Sequence, residues 1–536
     1  MNFQQFVLSL SSTALQSYLN LNPRGAFNGQ GSGSGLGASN AGAFNAEWDQ
    51  GANIGLSNIG AFNGSFDTGS FNGNDNLGAF NGNFNSASGN GNGNIGSFNG
   101  NFNGNTTLPG NGTVSNFAIF GDGSADVTSG FSKPQILHGR DGAGGLMFDL
   151  IVGDYDGISG HVRGGNDILY GGSNTKTGVV VNSVLGDASH LSERGAGGND
   201  FEYGGANKGV GGVENALVGD AVQLTDSSIG GQDRLIGGSN YGSGFVQNAE
   251  FGDAITIADS AKGGSDTLIG GDNWGNGYVQ NALFGTAAWM DGSSQGGHDV
   301  LSGGNNFGAG WVQNAFFGDA GLMTEYASGG SNVLRAGANY GSGWMQESLF
   351  GDAAVMTDYS RGGGNLLIGG SSRGFGSIEN VLVGNAGLMA GHSSAAGDVL
   401  RGGDSLVKGD IVNVLVGDAM TMTDFARGGD DVLYAGQAYG YAGSVENFMW
   451  GDAINMAPTA TGGSDTFVFG LLSGRNNFIM DFHIDDRIQF DFRFGGDEPI
   501  ISRTGGNTLV SVDGVEIWLV GYTGAVPEHA ISFAIA

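Results

Sequence analysis

Two columns of aspartate recur every 33 residues through the middle of this chain, with one added residue before the last pair. Carboxylate oxygens are the ligands that hard divalent cations such as calcium prefer, so a regular series of them predicts a series of cation sites. The first column comprises Asp167, Asp200, Asp233, Asp266, Asp299, Asp398, Asp431 and Asp465, and each of them except Asp398 ends a Gly-Gly-x-Asp turn. The second follows a single glycine and comprises Asp154, Asp187, Asp220, Asp253, Asp319, Asp352, Asp418 and Asp452.

The Gly-Gly-x-Asp turn can supply both kinds of oxygen that calcium takes. Its glycines let the backbone bend so that carbonyl oxygens point inward, and the carboxylate then reaches the turn of the adjacent coil. If coils stack at about 4.8 Å, each ion bridges two coils and cancels their like charges. We therefore predict Ca²⁺ as the cofactor and these aspartates as its ligands.

Four units depart from the acidic pattern. Asn332 and Asn365 stand in the first column, and Thr286 and Asn385 stand in the second. We predict that stacking, with an amide ladder in place of the ion, holds these units. One alternative explains every aspartate without a metal, because Asp and Asn also favour turns.

Two further columns share the period and indicate how the aspartates are positioned. One is an Asn column, interrupted by Glu347: Asn182, Asn215, Asn248, Asn281, Asn314, Asn380 and Asn413. The other is apolar: Leu191, Leu224, Ile257, Met290, Met323, Met356, Met389 and Met422. Alternating apolar positions closed by glycine are strand-like, and a constant period means that units stack in register. We predict an all-β protein, an elongated parallel β-solenoid or β-roll over residues 107–465, with the apolar column in its core.

The segment before this repeat has a shorter period. Residues 25–106 repeat every nine residues, with one column formed by Phe44, Phe62, Phe71, Phe80 and Phe98 and the next by Asn63, Asn72, Asn81 and Asn99. Two nines fit one turn of a β-roll, so we predict a second solenoid segment; a flexible tail is the alternative. Residues 1–24 carry apolar side chains at helical spacing and predict an amphipathic helix that caps the solenoid, with a role in secretion or assembly as the alternative.

Residues 466–536 change in character, with less glycine and more β-forming residues, as in TFVFG, FIMDF and EIWLVG. They predict a compact β-rich cap.

Composition narrows the class of protein. The chain has 51 acidic and 19 basic residues and a formal net charge of −32, so nucleic acid is not an expected partner, because phosphate binding needs clustered Lys and Arg. There is no cysteine, which excludes disulfides and a thiol catalyst. The first basic residue is Arg24, so a signal peptide's positive n-region is missing, and no apolar run reaches the length of a membrane span.

The repeats resemble those of a known family. GGNDILYGG (164–172), GGQDRLIGG (230–238), GGSDTLIGG (263–271) and GGHDVLSGG (296–304) are similar to the calcium-binding repeats of repeats-in-toxin (RTX, hemolysin-type) proteins. The stretch GGSDTFVFG…NNFIMDFHIDDRIQF resembles the cap of serralysin-like type I secreted proteins. This resemblance implies export without a cleaved N-terminal signal, using an uncleaved C-terminal one. Most units depart from the family by a shortened Gly-Gly-x-Asp and by an insert such as WGNGYVQ (274–280).

Catalytic motifs are missing: there is no His-Glu-x-x-His, Gly-x-Ser-x-Gly or P-loop pattern. We therefore predict a non-enzymatic, secreted or cell-surface protein with a structural or adhesive role. It is expected to self-associate into a fibre, matrix or surface layer and to contact cell-surface polysaccharide. The alternative is a lyase or epimerase that acts on polysaccharide. Its site would lie in the irregular stretch 123–166, which carries Lys133, His138, Arg140, Asp141, Asp149 and Asp156.

Overall fold

The computed structural model describes residues 25–26, 28, 39–45, 53–64, 72–81, 83, 92, 94–97, 114–122, 126–129, 132–439, 443–492 and 499–533. These residues form four sheets, three of which build one long parallel solenoid. Within them, the only helix is the short 3-10 turn Glu528–Ala530. The predicted all-β, parallel β-solenoid is therefore confirmed.

Each 33-residue coil contributes one strand to each of three sheets. In one coil, Ala221–Leu224 lies in a sheet that we call the Met sheet, Arg234–Ile236 in the Leu sheet, and Phe245–Phe251 in the long-strand sheet. Asn215 pairs with Asn248, and Asn248 pairs with Asn281. Because each residue pairs with its equivalent one repeat later, the sequence period is the length of one coil.

The strands of the three sheets are as follows. The Met sheet consists of Gly157–Ile158, Ala188–Leu191, Ala221–Leu224, Ala254–Ile257, Ala287–Met290, Ala320–Met323, Ala353–Met356, Ala386–Met389, Ala419–Met422 and Ala453–Met456. The Leu sheet consists of Ile136–His138, Ile168–Tyr170, Phe201–Tyr203, Arg234–Ile236, Thr267–Ile269, Val300–Ser302, Val333–Arg335, Leu366–Ile368, Val399–Arg401, Val432–Tyr434, Thr466–Phe469, Arg487–Phe490 and Ile531–Phe533. The long-strand sheet consists of Val114–Phe120, Leu146–Val152, Val179–Leu185, Gly212–Val218, Phe245–Phe251, Tyr278–Phe284, Trp311–Phe317, Met345–Phe350, Ile378–Val383, Ile411–Val416, Val445–Trp450, Asn477–Ile479, Val515–Leu519, Asn507–Val512 and Ile500–Thr504.

Inward-pointing side chains of equivalent strands form continuous columns. The predicted apolar column is confirmed as core, because its members from Leu191 to Met422 are fully buried. The Asn column forms an amide ladder in which Asn248 donates from Nδ2 to Asn281 Oδ1 at 2.7 Å and Asn281 donates to Asn314 at 2.7 Å. Each amide also binds a glycine of its own coil, as Asn248 Oδ1 does with the N–H of Gly238 at 2.9 Å. The ladder thus satisfies buried backbone groups at the corners between sheets.

Aromatic columns lie along one solvent-facing corner. The rings of Trp274 and Phe307 stack with centroids 3.9 Å apart, and those of Tyr278 and Trp311 stack at 4.3 Å. Because the rings cover one another's faces, mainly their edges meet solvent. These columns therefore contribute to the stacking of successive coils.

The Gly/Asn/Phe segment forms a fourth, separate parallel sheet, the N-terminal sheet. Its strands are Gly25–Ala26, Ala41–Ala43, Ile59–Ala61, Leu77–Ala79 and Ile95–Ser97. Ala41 pairs with Ile59 and Ile59 with Leu77, so one coil takes 18 residues, which is two nine-residue units. The described residues of this segment therefore form one parallel sheet whose strands recur every 18 residues. Phe71, Phe98 and Asn99 lie outside the described residues.

The phenylalanine column of this segment is buried inside its own chain. Phe44, Phe62 and Phe80 are at most 2% exposed, and their rings stack at 4.8 and 4.7 Å. They share one apolar cluster with Phe284 and Phe317, which lie on the outer face of the long-strand sheet. The N-terminal sheet therefore packs along the side of the large solenoid. The stacking surface of these rings is therefore buried within one molecule.

The most extensive contacts of the N-terminal sheet fall on three consecutive coils. Ala41–Ala43 packs against Ala320–Met323 and Ala353–Met356. The next strand, Ile59–Ala61, packs against Ala287–Met290 and Ala320–Met323, and Leu77–Ala79 packs against Ala287–Met290. Later strands of the N-terminal sheet thus contact earlier coils of the large solenoid. The two solenoids therefore run antiparallel to each other.

Replacing Phe62 by alanine should release the N-terminal sheet from the large solenoid. The ring lies between two stacked neighbours in a dry cluster, so its loss should cost about 3–5 kcal/mol. We expect faster proteolysis between residues 39 and 97, with the large solenoid still protected. Phe375→Ala is the control, since Phe375 is 69% exposed; equal cleavage of both variants would contradict the packing role.

The C-terminal segment continues the sheets and then closes them. Thr466–Phe469 and Arg487–Phe490 extend the Leu sheet, and the antiparallel strands Ile500–Thr504, Asn507–Val512 and Val515–Leu519 end the long-strand sheet. This agrees with the predicted β-rich cap. The predicted helix of residues 1–24 lies outside the described residues. Among the helices that the structure describes, none has the length and apolar character needed to cross a bilayer.

Candidate metal centre: a buried double column of aspartates

The second aspartate column closes the Gly-Gly turns from inside the solenoid. The carboxylate of Asp319 accepts from the N–H of Gly330 at 2.8 Å, and that of Asp220 accepts from the N–H of Gly231 at 2.9 Å. The two residues of each pair are 11 positions apart in one coil. The glycine before each aspartate is required, because a Cβ at Gly186 would overlap the Gly219 carbonyl oxygen and Asp200 Oδ2.

The first aspartate column forms a ladder from coil to coil. The N–H of Asp200 donates to Asp233 Oδ1 at 2.7 Å, and the N–H of Asp233 donates to Asp266 Oδ1 at 2.7 Å. One oxygen of each carboxylate therefore binds the neighbouring coil. The other oxygen is left for the second column.

The two columns face each other inside the solenoid. Asn332 Nδ2 donates to Asp319 Oδ2 at 3.1 Å, and Thr286 Oγ1 lies 3.4 Å from Asp299 Oδ2. We call each facing pair a level and name it by its two residues. The structure thus brings all sixteen predicted aspartates together in ten levels: 154/167, 187/200, 220/233, 253/266, 286/299, 319/332, 352/365, 385/398, 418/431 and 452/465.

The aspartates are buried, and many of their oxygens have no hydrogen-bond partner. Every one of the sixteen is at most 4% exposed. In the described part of the chain none of them forms an ion pair with Lys or Arg, and Asp452 lies 3.5 Å from His483 Nδ1. The oxygens without a partner are Asp154 Oδ1, Asp167 Oδ2, Asp187 Oδ1, Asp200 Oδ2, Asp233 Oδ2, Asp253 Oδ2, Asp266 Oδ2, Asp398 Oδ2, Asp418 Oδ2 and Asp431 Oδ2.

Burial is the main cause of raised pKa values along both columns. It raises the pKa of Asp253 to about 7 and that of Asp431 to about 8. For Asp187 and Asp233 burial raises the pKa well above the usual range, with neighbouring aspartates adding to the shift. The carboxyl groups of Asp253 and Asp220 lie close enough that a shared proton would lower their mutual repulsion. These columns need a proton or a cation to offset their charge.

The levels that contain Asn332 and Asn365 show which group can stand in place of the unpartnered carboxylate oxygen. Asn332 Nδ2, besides its bond to Asp319, lies 3.5 Å from the carbonyl oxygen of Gly351 in the next coil. Asn365 Nδ2 lies 3.4 Å from the equivalent Gly384 oxygen. In the aspartate levels an Oδ2 atom occupies the same place, beside Gly219 O in the case of Asp200. At this place an amide group donates hydrogen bonds to the facing carboxylate oxygen and to the glycine carbonyl oxygen of the next coil. A carboxylate oxygen at the same place is repelled by both.

A two-aspartate level therefore offers two carboxylates and a glycine carbonyl to one small volume. All these donors are oxygens, which suits a hard cation such as calcium. Within the described residues no three or more His, Cys, Asp or Glu side chains surround a common point as metal ligands do. The glycine carbonyl would therefore be an essential part of any cation site.

The ends of the double column use residues that the sequence pattern did not reveal. At the start, Gln135 Nε2 donates to Asp122 Oδ1 at 2.6 Å, an amide–carboxylate pair in the position of a level. At the other end, Asp486 Oδ1 accepts from the N–H of Asp465 at 3.0 Å, and Asp481 accepts from the N–H of Asp452 at 3.1 Å. The 33-residue spacing fails at these ends, which is why the periodicity missed them.

Two glutamates occupy leucine positions of the core. Glu202 pairs with Leu169 and Leu235, and Glu250 pairs with Leu217 and Leu283 in the strand registers. All four of their carboxyl oxygens are buried without a hydrogen-bond partner, and burial raises both pKa values well above the usual range. Aligning the repeats would have exposed them as acidic residues in an apolar column.

The residues considered for an enzyme site take part in contacts between coils. Arg140 forms an ion pair with the buried Asp149 at 3.0 Å, and Asp149 pairs with Asn182 at the start of the Asn column. The ring of His138 stacks on Tyr170, and Asp141 accepts from the N–H of Ser173.

Comparison with known proteins adds no relative. A scan against family models, a search of curated proteins and a search of solved structures each found no match to this chain.

Proposed function

We propose that this chain is a calcium-stabilised structural or adhesive protein that is exported to the cell exterior or surface. The observation that carries the proposal is the buried double column of aspartates, whose unpartnered oxygens face each other and a glycine carbonyl. The similarity of the repeats to RTX proteins supports the same conclusion. In this proposal the cation replaces the missing positive charge of the interior.

Calcium fits this arrangement better than other common cations. Calcium accepts irregular sets of carboxylate and carbonyl oxygens, whereas Mg²⁺ demands near-octahedral geometry and retains water. Zinc prefers histidine and cysteine ligands, and this chain has no cysteine. Calcium sites of extracellular modules bind in about the 10⁻⁴–10⁻³ M range, so such a solenoid would bind calcium only after export.

The proposal gives the chain a scaffold role and no catalytic one. A rigid, in-register solenoid presents the same side chains at each coil, which suits assembly or adhesion over a long surface. Self-association into a fibre, matrix or surface layer and contact with cell-surface polysaccharide stay predictions. Light scattering on calcium addition tests self-association.

Replacing Asp233 by asparagine should remove one calcium ion and stabilise the metal-free chain. The new amide would donate to Asp220 and Gly252 O, as Asn332 does to Asp319 and Gly351 O. Calorimetric titration of calcium into the chelator-treated chain would measure the stoichiometry, and thermal melts in chelator would measure stability. The matched control is Asp226→Asn, which makes the same charge change at an exposed position of that coil. Equal calcium binding by wild type, Asp233→Asn and control would refute the assignment.

A further inference from the structure

The levels of the double column fall into three groups according to whether their polar atoms have partners. Unpartnered carboxylate oxygens occur at the four levels from 154/167 to 253/266, and again at 385/398 and 418/431. The three levels between them, 286/299, 319/332 and 352/365, have none, and neither does the last level, 452/465, where Asp452 lies 3.5 Å from His483 Nδ1. We call the coils of these three levels, residues 286–384, the central block, and the coils on either side the flanking blocks.

At these three levels of the double column, each carboxylate oxygen has a donor from the protein itself. Asp299 Oδ1 accepts from the N–H of Asp266 at 2.8 Å, and Thr286 Oγ1 lies near its Oδ2. Asp319 accepts from Gly330 and from Asn332.

Asp352 completes the pattern of the central block. Its Oδ1 accepts from the N–H of Gly363 at 2.8 Å, and its Oδ2 accepts from Asn385 Nδ2 at 2.8 Å. A proton-donating hydroxyl or amide thus stands at each central level where a two-aspartate level has a second carboxylate; level 385/398 of the flanking coils also carries an amide, that of Asn385. The carboxylates of these three levels are therefore satisfied without an added cation.

A second, independent observation concerns the same coils, because the N-terminal sheet has its most extensive strand contacts there. The N-terminal sheet packs on the strands Ala287–Met290, Ala320–Met323 and Ala353–Met356, and each of these strands follows directly on Thr286, Asp319 or Asp352. The coils whose interior is neutralised by amide and hydroxyl groups are therefore also braced from outside by apolar burial. Both effects stabilise one region of the solenoid without metal.

We propose that the central block folds without divalent cations and holds the N-terminal sheet, whereas the flanking blocks fold only when cations occupy their paired aspartates. This inference rests on the proposed function, because it assumes that the paired aspartates bind calcium. Repeat arrays allow such a division, since each coil contacts only its neighbours and local stability differs along the array. The central block would then serve as the template onto which the flanking coils add when calcium is supplied.

Amide hydrogen exchange of the full chain, in calcium and in chelator at about pH 8, tests the division directly. We expect chelation to reduce protection in residues 154–266 and 398–465 by roughly tenfold or more, and to leave residues 286–384 and the strands Ala41–Ala43, Ile59–Ala61 and Leu77–Ala79 protected. Protection lost equally in all coils would support the need for cations but overturn the division into blocks. Protection unchanged everywhere would refute the proposed function itself.

A double variant, Asn332→Asp with Asn365→Asp, tests the division into blocks in a second way, by changing the central block itself. It converts two central levels into two-aspartate levels, so the central block should become sensitive to chelator and the chain should bind two more calcium ions. Asn276→Asp, which adds a charge at an exposed position, is the control. A double variant that keeps the wild-type calcium stoichiometry and chelator resistance in the central block would contradict the proposal.

Discussion

Without divalent cations, the thermal stability of this chain should fall as the pH rises from about 4 to about 8, and calcium should restore it at the upper end. The folded chain raises the aspartate pKa values above those of the unfolded chain, so the folded state binds more protons within this window. Stability is therefore fully present below the unfolded pKa and is lost as the pH rises through the folded pKa. For Asp253, with a pKa raised from 3.8 to about 7, the loss is on the order of 4 kcal/mol.

Calcium reverses this dependence because it binds the deprotonated carboxylates. Its affinity should increase over the same pH range in which the metal-free chain weakens. Circular dichroism melts at about pH 5 and about pH 8, each in chelator and in millimolar calcium, measure both effects. Magnesium at equal concentration is the control for ionic strength. Stability that increases with pH in chelator would show that the columns are not buried as carboxyl groups.

Replacing Asn281 by alanine should cause one of the largest losses of stability available in this chain. The amide accepts from the N–H of Gly271 and from Asn248, and it donates to Gly271 O and Asn314 Oδ1. All these groups are buried, and each one left without a partner costs about 1–3 kcal/mol. We expect a total loss of roughly 3–6 kcal/mol, measured from denaturant midpoints.

Two further variants bracket this result. Asn276→Ala, at an exposed position of the same coil, should change stability by less than about 0.5 kcal/mol. Glu347→Asn should act in the opposite direction and stabilise the chain. Glu347 accepts from Asn314 at 2.9 Å, but its Oε2 has no partner, and an asparagine there can donate to Asn380. A ladder that contributes only turn geometry would give equal effects for Asn281 and Asn276.

Much of the fold follows from periodicity. A constant 33-residue spacing requires parallel, in-register coils, and the apolar column from Leu191 to Met422 therefore had to lie in the core. The number of strands in each coil did not follow. The short Leu-sheet strands, such as Thr267–Ile269, have three residues each, too few for an alternating pattern to stand out between glycines.

The individual aspartates of the candidate site were predicted from the sequence, but the pairing of the two columns at common levels was not. The sequence assigned Asp220 and Asp233 to separate columns because they are 13 positions apart. Only the turn that folds Gly230 and Gly231 back over Asp220 brings their carboxylates to one level. Asp481 and Asp486 were missed because the cap shortens the last coil and breaks the period.

The sequence by itself determined the repeat, the parallel stacking and the residues with oxygen ligands, because a rigid period permits a single register. The tertiary structure alone decided that the two aspartate columns share one buried interior, where each lone carboxylate oxygen needs a proton, an amide or a cation. It also decided that the stacked phenylalanines cover the side of the large solenoid. That contact joins segments with periods of 18 and 33 residues, and no pattern within either segment specifies the other as its partner.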